Sequence, residues 1–177
     1  MLVARRAALK FALAAVPAAY VSTVFVSSAH AVDALPDARF VGWAQALNDF
    51  EIASGNLALS KSGNEIVRGY AARMIAEHTE AAQILVKSRA EAGVSYAPDP
   101  AAPPNTDAIL QRLSGLQGPE FDTAYANAQL SIQTDAVGQY GAYSQNGNSG
   151  PLRKYAQAMF PKAQEQLEYA KRMAGGR

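Results

Sequence analysis

The chain has 177 residues, 49% of them hydrophobic and 18% charged, enough apolar material for one domain of ordinary size. It has no cysteine, which excludes disulfides, thiolate metal sites, a cysteine nucleophile and a lipid-modified N-terminal cysteine. The formal charge of +1 depends on Arg5, Arg6 and Lys10. These are the only charges before residue 32, and taking the three from 16 basic residues leaves 13 against 15 acidic ones, a charge of −2. No basic patch remains, so nucleic-acid binding by counterion release is not expected.

Those three cations precede an uncharged, mostly apolar run from Phe11 to Val26. Ala29-His30-Ala31 then places small residues where a signal peptidase reads. Residues 1–31 therefore read as a signal peptide, and the protein is expected in the periplasm or cell envelope. An uncleaved anchor is the alternative reading, because residues 11–29 approach the ~20 apolar residues that span a bilayer. Pro17, Tyr20, Ser22, Thr23, Ser27 and Ser28 weaken such a span. Membrane contact is expected only through this segment, if it stays uncleaved. Arg5, Arg6, Leu9 and Lys10 also resemble a twin-arginine export signal, from which Ala4 and Ala8 depart. An ordinary secretory n-region fits the same residues.

After a lead at 32–37 containing Pro36, apolar residues recur at a period near 3.6. Phe40, Trp43, Leu47, Phe50 and Leu57 predict a helix over about 38–61, broken by Ser62-Gly63-Asn64. Ile66, Val67, Tyr70, Ala71, Met74, His78, Ala81 and Leu85 predict a second over 65–92, stopped by Gly93. Residues 94–118 form a crossover in which Pro98, Pro100, Pro103 and Pro104 forbid helix, followed by a short helix over about 106–116. A third long helix is expected over 119–144 and a fourth from Pro151 to about 174. Pro161 inside the fourth removes a backbone donor and should kink it.

Short loops make each pair of long helices antiparallel. Twelve extended residues between the pairs reach ~37 Å, the length of a 24-residue helix at about 1.5 Å per residue. The expected fold is all-α: a four-helix bundle over 38–174 of ferritin-like arrangement, two up-down pairs joined by a long Pro-rich crossover with a short extra helix. A plain up-down bundle with the short helix folded over one end is the alternative.

Each long helix carries one polar, ligand-capable residue on or beside its apolar stripe: Glu51, His78, Gln133 and Gln166. Counting from the hairpins puts Glu51 and His78 within ~5 Å along the axis, and Gln133 and Gln166 within ~7 Å. The four are candidates for a polar core cluster that fixes helix register. Glu51 and His78 are also candidate metal ligands, whereas the amides offer only neutral carbonyl oxygens. Di-iron chemistry in a bundle needs Glu-x-x-His on two helices. The chain has no such motif, and His78 is its only histidine outside the signal segment. Glu77 reads as solvated surface, and Trp43 and the tyrosines as core. There is no P-loop, no Gly-rich dinucleotide turn and no nucleophile elbow.

The order of Glu51 with Leu57-Ala58-Leu59, Val67 to Met74 leading into Glu77-His78, Phe121-Asp122 with Tyr125, and Pro161 resembles the bacterial domain of unknown function 4142 family, a group of exported ferritin-like bundles. The resemblance covers about 38–174. It implies an acidic residue at Glu51, an acidic-histidine pair at Glu77-His78, and histidines where Gln133 and Gln166 stand. Both histidines are replaced here.

The expected function is that of an exported, non-enzymatic binding, structural or stress-related bundle with an unidentified protein or small-molecule partner and no cofactor. A divalent metal held by Glu51 and His78 is the alternative. A small-ligand binder built on Trp43 and the interior tyrosines is a third reading.

Overall fold

The computed structural model describes residues 32–95 and 105–175. The signal-peptide reading of 1–31 and the Pro-rich part of the crossover, 96–104, lie outside the described residues. The described helices are α1 (Asp37–Lys61), α2 (Glu65–Glu91), α3 (Thr106–Ser114), α4 (Gly118–Asn146) and α5 (Gly150–Ala174). No strand occurs among the described residues, and no described helix is long and apolar enough to cross a membrane.

Local chemistry sets the helix ends. The Asn64 side chain accepts from the backbone N–H of Ile66 at 2.9 Å and of Val67 at 3.4 Å, starting α2. Ser149 does the same for Leu152 at the start of α5. In both hairpins an arginine four residues after the cap reaches back to the preceding helix end. Arg68 donates to the carbonyls of Leu59 and Ser62, and Arg153 to those of Gly147 and Asn148. Gly93 takes φ 66° and ends α2. The short helix α3 stops at Ser114, two residues before the sequence expectation. There the backbone tightens, with Gly115 N–H donating to Arg112 and Leu116 N–H to Leu113 at 3.2 Å. Pro161 lies within α5 without ending it. It is exposed, and so is Gln157, whose carbonyl loses the intrahelical donor, so water can take that donor's place.

Side-chain pairs fix the helix directions. Phe40 stacks on Tyr143 with ring centroids 3.7 Å apart, and Trp43 Nε1 donates to Asp135 at 2.9 Å, so α1 and α4 run antiparallel. Arg73 with Glu165 and Lys162 with Glu80 set α2 antiparallel to α5. The neighbours around the bundle are α1–α2, α2–α5, α5–α4 and α4–α1. Consequently α2 and α4 point the same way, and the chain must return the length of the bundle between them. The described part of that return, α3, packs against α1 and α4. It buries Leu113 beside Phe121 and Tyr125, and Lys61 Nζ donates to the Ser114 carbonyl at 2.8 Å. The bundle thus consists of two antiparallel pairs joined by one long crossover.

Two apolar clusters fill the bundle. One, at the end where α1 begins, holds Phe40, Trp43, Leu47, Tyr140, Tyr143 and Tyr155. The other, at the opposite end, holds Val67, Tyr70, Met74, Leu113, Phe121 and Tyr125. Side chains of Asn48, Glu51, Ser54, His78, Gln129 and Gln133 are buried along with them, where α1, α2 and α4 come together.

Candidate functional site: a polar layer inside the bundle

Glu51 is fully buried. Its two carboxylate oxygens accept from the amides of α4, Oε2 from Gln129 Nε2 at 2.8 Å and Oε1 from Gln133 Nε2 at 3.1 Å. Gln129 Oε1 accepts from the Tyr70 hydroxyl at 3.1 Å, which links α2. Ser54, one turn after Glu51, offers its Oγ to Gln129 Nε2 at 3.4 Å, and Met74 Sδ lies 3.8 Å from Gln133 Nε2.

One turn before Glu51, a second chain of bonds begins. His78 Nδ1 lies 2.8 Å from Asn48 Oδ1. An amide oxygen can only accept, so Nδ1 carries the proton and Nε2 is a bare lone pair. Asn48 Nδ2 donates to the Tyr155 hydroxyl at 3.4 Å, and that hydroxyl meets Tyr140 Oη at 3.4 Å.

The structure therefore buries all four residues singled out in the sequence but gives them different partners. Glu51 and Gln133 bond directly. His78 bonds to Asn48. Gln166 donates to Glu77 Oε2 at 2.6 Å. Glu77 is not free surface: it is half-buried and also takes Arg73 Nε at 2.7 Å. Asn48, Ser54, Gln129 and Tyr70 complete the layer. The first two lie three residues on either side of Glu51 and Gln129 lies four before Gln133, so helical spacing alone would have found them. Trp43, Phe40, Tyr140 and Tyr155 are packed ring on ring, which leaves little room for a ligand among them.

Burial decides the protonation states. It pushes the Glu51 carboxyl up to about 8, opposed in part by the Gln129 hydrogen bond. It pushes His78 down to about 4, against the attraction of Glu77. At neutral pH both groups are uncharged, as expected for side chains withdrawn from water without a counter-ion. A neutral Glu51 carries an O–H that needs an acceptor. Gln133 Oε1 is buried without a partner, and turning that amide over presents it to Glu51. His78 Nε2 and the Tyr125 hydroxyl are likewise buried without a hydrogen-bond partner.

A dinuclear carboxylate centre needs a different donor set. Among the described residues no group of three His, Asp or Glu side chains converges. The residues around Glu51 are amides, a hydroxyl and a thioether, which do not fit a dinuclear carboxylate centre.

The chain matches the family described as a domain of unknown function (DUF4142) over residues 24–173, and it belongs to that family. No curated protein and no solved structure matches it.

Proposed function

We propose that the protein is an exported, non-catalytic bundle of ferritin-like arrangement that serves the cell envelope as a binding, structural or stress-related module, and that its polar layer locks helix register. The observation that carries the reading is the division of partners inside the bundle. Both Glu51 oxygens are taken by Gln129 and Gln133, whereas His78 is taken by Asn48. A neutral, mutually bonded layer costs little to bury and penalises any sliding of one helix against another. Arg5, Arg6 and Lys10 ahead of an apolar run support export. The single long return between α2 and α4 supports the ferritin-like reading.

A second reading rests on His78. A ring that donates Nδ1–H to an amide oxygen and keeps Nε2 bare is oriented as metal-bound imidazoles are. In this reading Glu51 and His78 would hold one divalent cation. Elemental mass spectrometry of protein purified from periplasm without chelators, beside a His78→Ala variant, separates the two. The proposal expects no stoichiometric metal in either. Stoichiometric metal in the parent that is lost in the variant would overturn it.

A further inference from the structure

The link from α4 to α5 begins with Asn146-Gly147, the one Asn-Gly pair in the chain. An asparagine side-chain amide is open to attack by the backbone nitrogen of the next residue, and glycine, which has no Cβ, hinders that approach least. Asn146 is exposed, and no hydrogen bond among the described residues holds its side chain. The fold does not allow another residue at 147. The Tyr143 ring lies on the Gly147 backbone, where a Cβ would stand 2.6 Å from Tyr143 Cδ1. That ring is itself pinned, stacked on Phe40 at 3.7 Å and donating its hydroxyl to Asp37 at 2.5 Å. Packing at this end therefore demands the residue that leaves Asn146 most reactive.

The same turn restrains the reaction. Ring closure needs the Gly147 nitrogen to give up its proton and the Asn146 backbone to leave its helical conformation, which keeps that nitrogen away from the side-chain carbon. Asn146 is the last residue of α4, and the Gly147 N–H is engaged by the Tyr143 carbonyl at 3.0 Å. From the first turn of α5, Arg153 Nη1 donates to the carbonyl of Gly147 and, at 3.0 Å, to that of Asn148. A charged donor on two successive carbonyls is a stronger hold than neutral backbone bonds alone.

We propose that Asn146 is a deamidation site gated by Arg153, so that opening of this turn becomes a permanent covalent change. When the turn opens, the Gly147 nitrogen loses its proton to solvent and bonds to Asn146 Cγ. The Cγ–Nδ2 bond breaks, and the side-chain nitrogen takes a proton back from solvent and leaves as ammonia. Water then opens the cyclic imide at either carbonyl, giving aspartate or isoaspartate at position 146. Water is the only co-reactant, and no electrons are exchanged. Either product puts a negative charge at the C-terminal end of α4, where the helix dipole disfavours it. Isoaspartate also reroutes the main chain through the side-chain carbon, beneath the ring that ties α4 to the start of α1. The site is separate from the polar layer, so the two are tested independently.

The test is incubation of the purified protein in mildly alkaline buffer made with heavy-oxygen water, followed by peptide mass spectrometry that separates asparagine, aspartate and isoaspartate at position 146. The parent is expected to convert slowly and Arg153→Ala about tenfold faster, the loss of hydrogen bonds from a charged donor. Gly55→Ala loosens α1 against α2, away from this turn, and should convert at the parent's rate. Unchanged circular dichroism confirms the fold. If Arg153→Ala does not fold, the parent in urea below its unfolding transition takes its place, and conversion should already quicken there. An unchanged rate in Arg153→Ala, an equal acceleration in Gly55→Ala, or a rate in urea that follows the unfolded fraction alone would overturn the proposal.

Discussion

Glu51→Gln should stabilise the protein at alkaline pH and leave it nearly unchanged in mild acid. In the folded chain the Glu51 carboxyl is raised from 4.5 to about 8 by burial. Between these values the folded protein holds a proton that the unfolded chain has released, so stability falls as pH rises through this window and levels off above about 8. At about 1.4 kcal/mol for each tenfold difference in proton affinity, the loss reaches about 5 kcal/mol. His78 works in the opposite direction, because its pKa falls from 6.5 to about 4 on folding. The unfolded chain then holds the extra proton, and this contribution to stability grows as pH rises from about 4 to 6.5. The two nearly cancel between pH 4.5 and 6.5. Above 6.5 only the Glu51 effect remains, and the parent should lose about 2 kcal/mol by pH 8. In Glu51→Gln the new amide offers an N–H where the acid offered O–H, so the bonding of the layer survives. Urea unfolding at a series of pH values should show the variant gaining steadily on the parent from pH 5 upward, with no decline between 6.5 and 8. A constant difference between the two proteins at every pH would refute the argument, since it would mean that Glu51 ionises alike in the folded and unfolded chain.

Tyr155→Phe removes the hydroxyl shared by Asn48 and Tyr140, and urea unfolding should register a loss of about 1–2 kcal/mol from the groups left unpaired. Gly55→Ala should destabilise by about 1–2 kcal/mol by the same assay. A Cβ there would stand 2.8 Å from Ile75 Cγ1 and 3.1 Å from the Ala71 carbonyl, an overpacking of α1 against α2 that outweighs alanine's better helix propensity. Pro161→Ala should raise the thermal midpoint by a few degrees, because the exposed site has room for the restored N–H bond to Gln157.

The helices were legible because their apolar residues repeat every third or fourth position and their ends carry strong local signals. Asn64, Gly93 and Pro151 each sit where an end was expected. The crossover was legible from arithmetic, since four prolines between two helical pairs imply an extended reach as long as a helix. The chemistry of the interior was less so. Periodicity brings Glu51, His78, Gln133 and Gln166 inward, but it does not say which of them meet. That depends on helix rotation: Glu51 faces α4 and finds Gln129 and Gln133, whereas His78 faces back to α1 and finds Asn48. Glu77 was misread for the same reason. A glutamate beside the stripe can lie against the neighbouring helix, and here Gln166 and Arg73 hold it there.

Burial keeps the Glu51 carboxyl uncharged at neutral pH, held by Gln129 and Gln133. An NMR titration of the Glu51 side-chain carboxyl carbon in the purified protein tests this most directly. A single midpoint near 8, unchanged by added divalent cations, is expected. A midpoint near 4.5, or one driven down by a stoichiometric divalent cation, would mean that Glu51 is a charged group awaiting a ligand, and the closed polar layer would have to be abandoned.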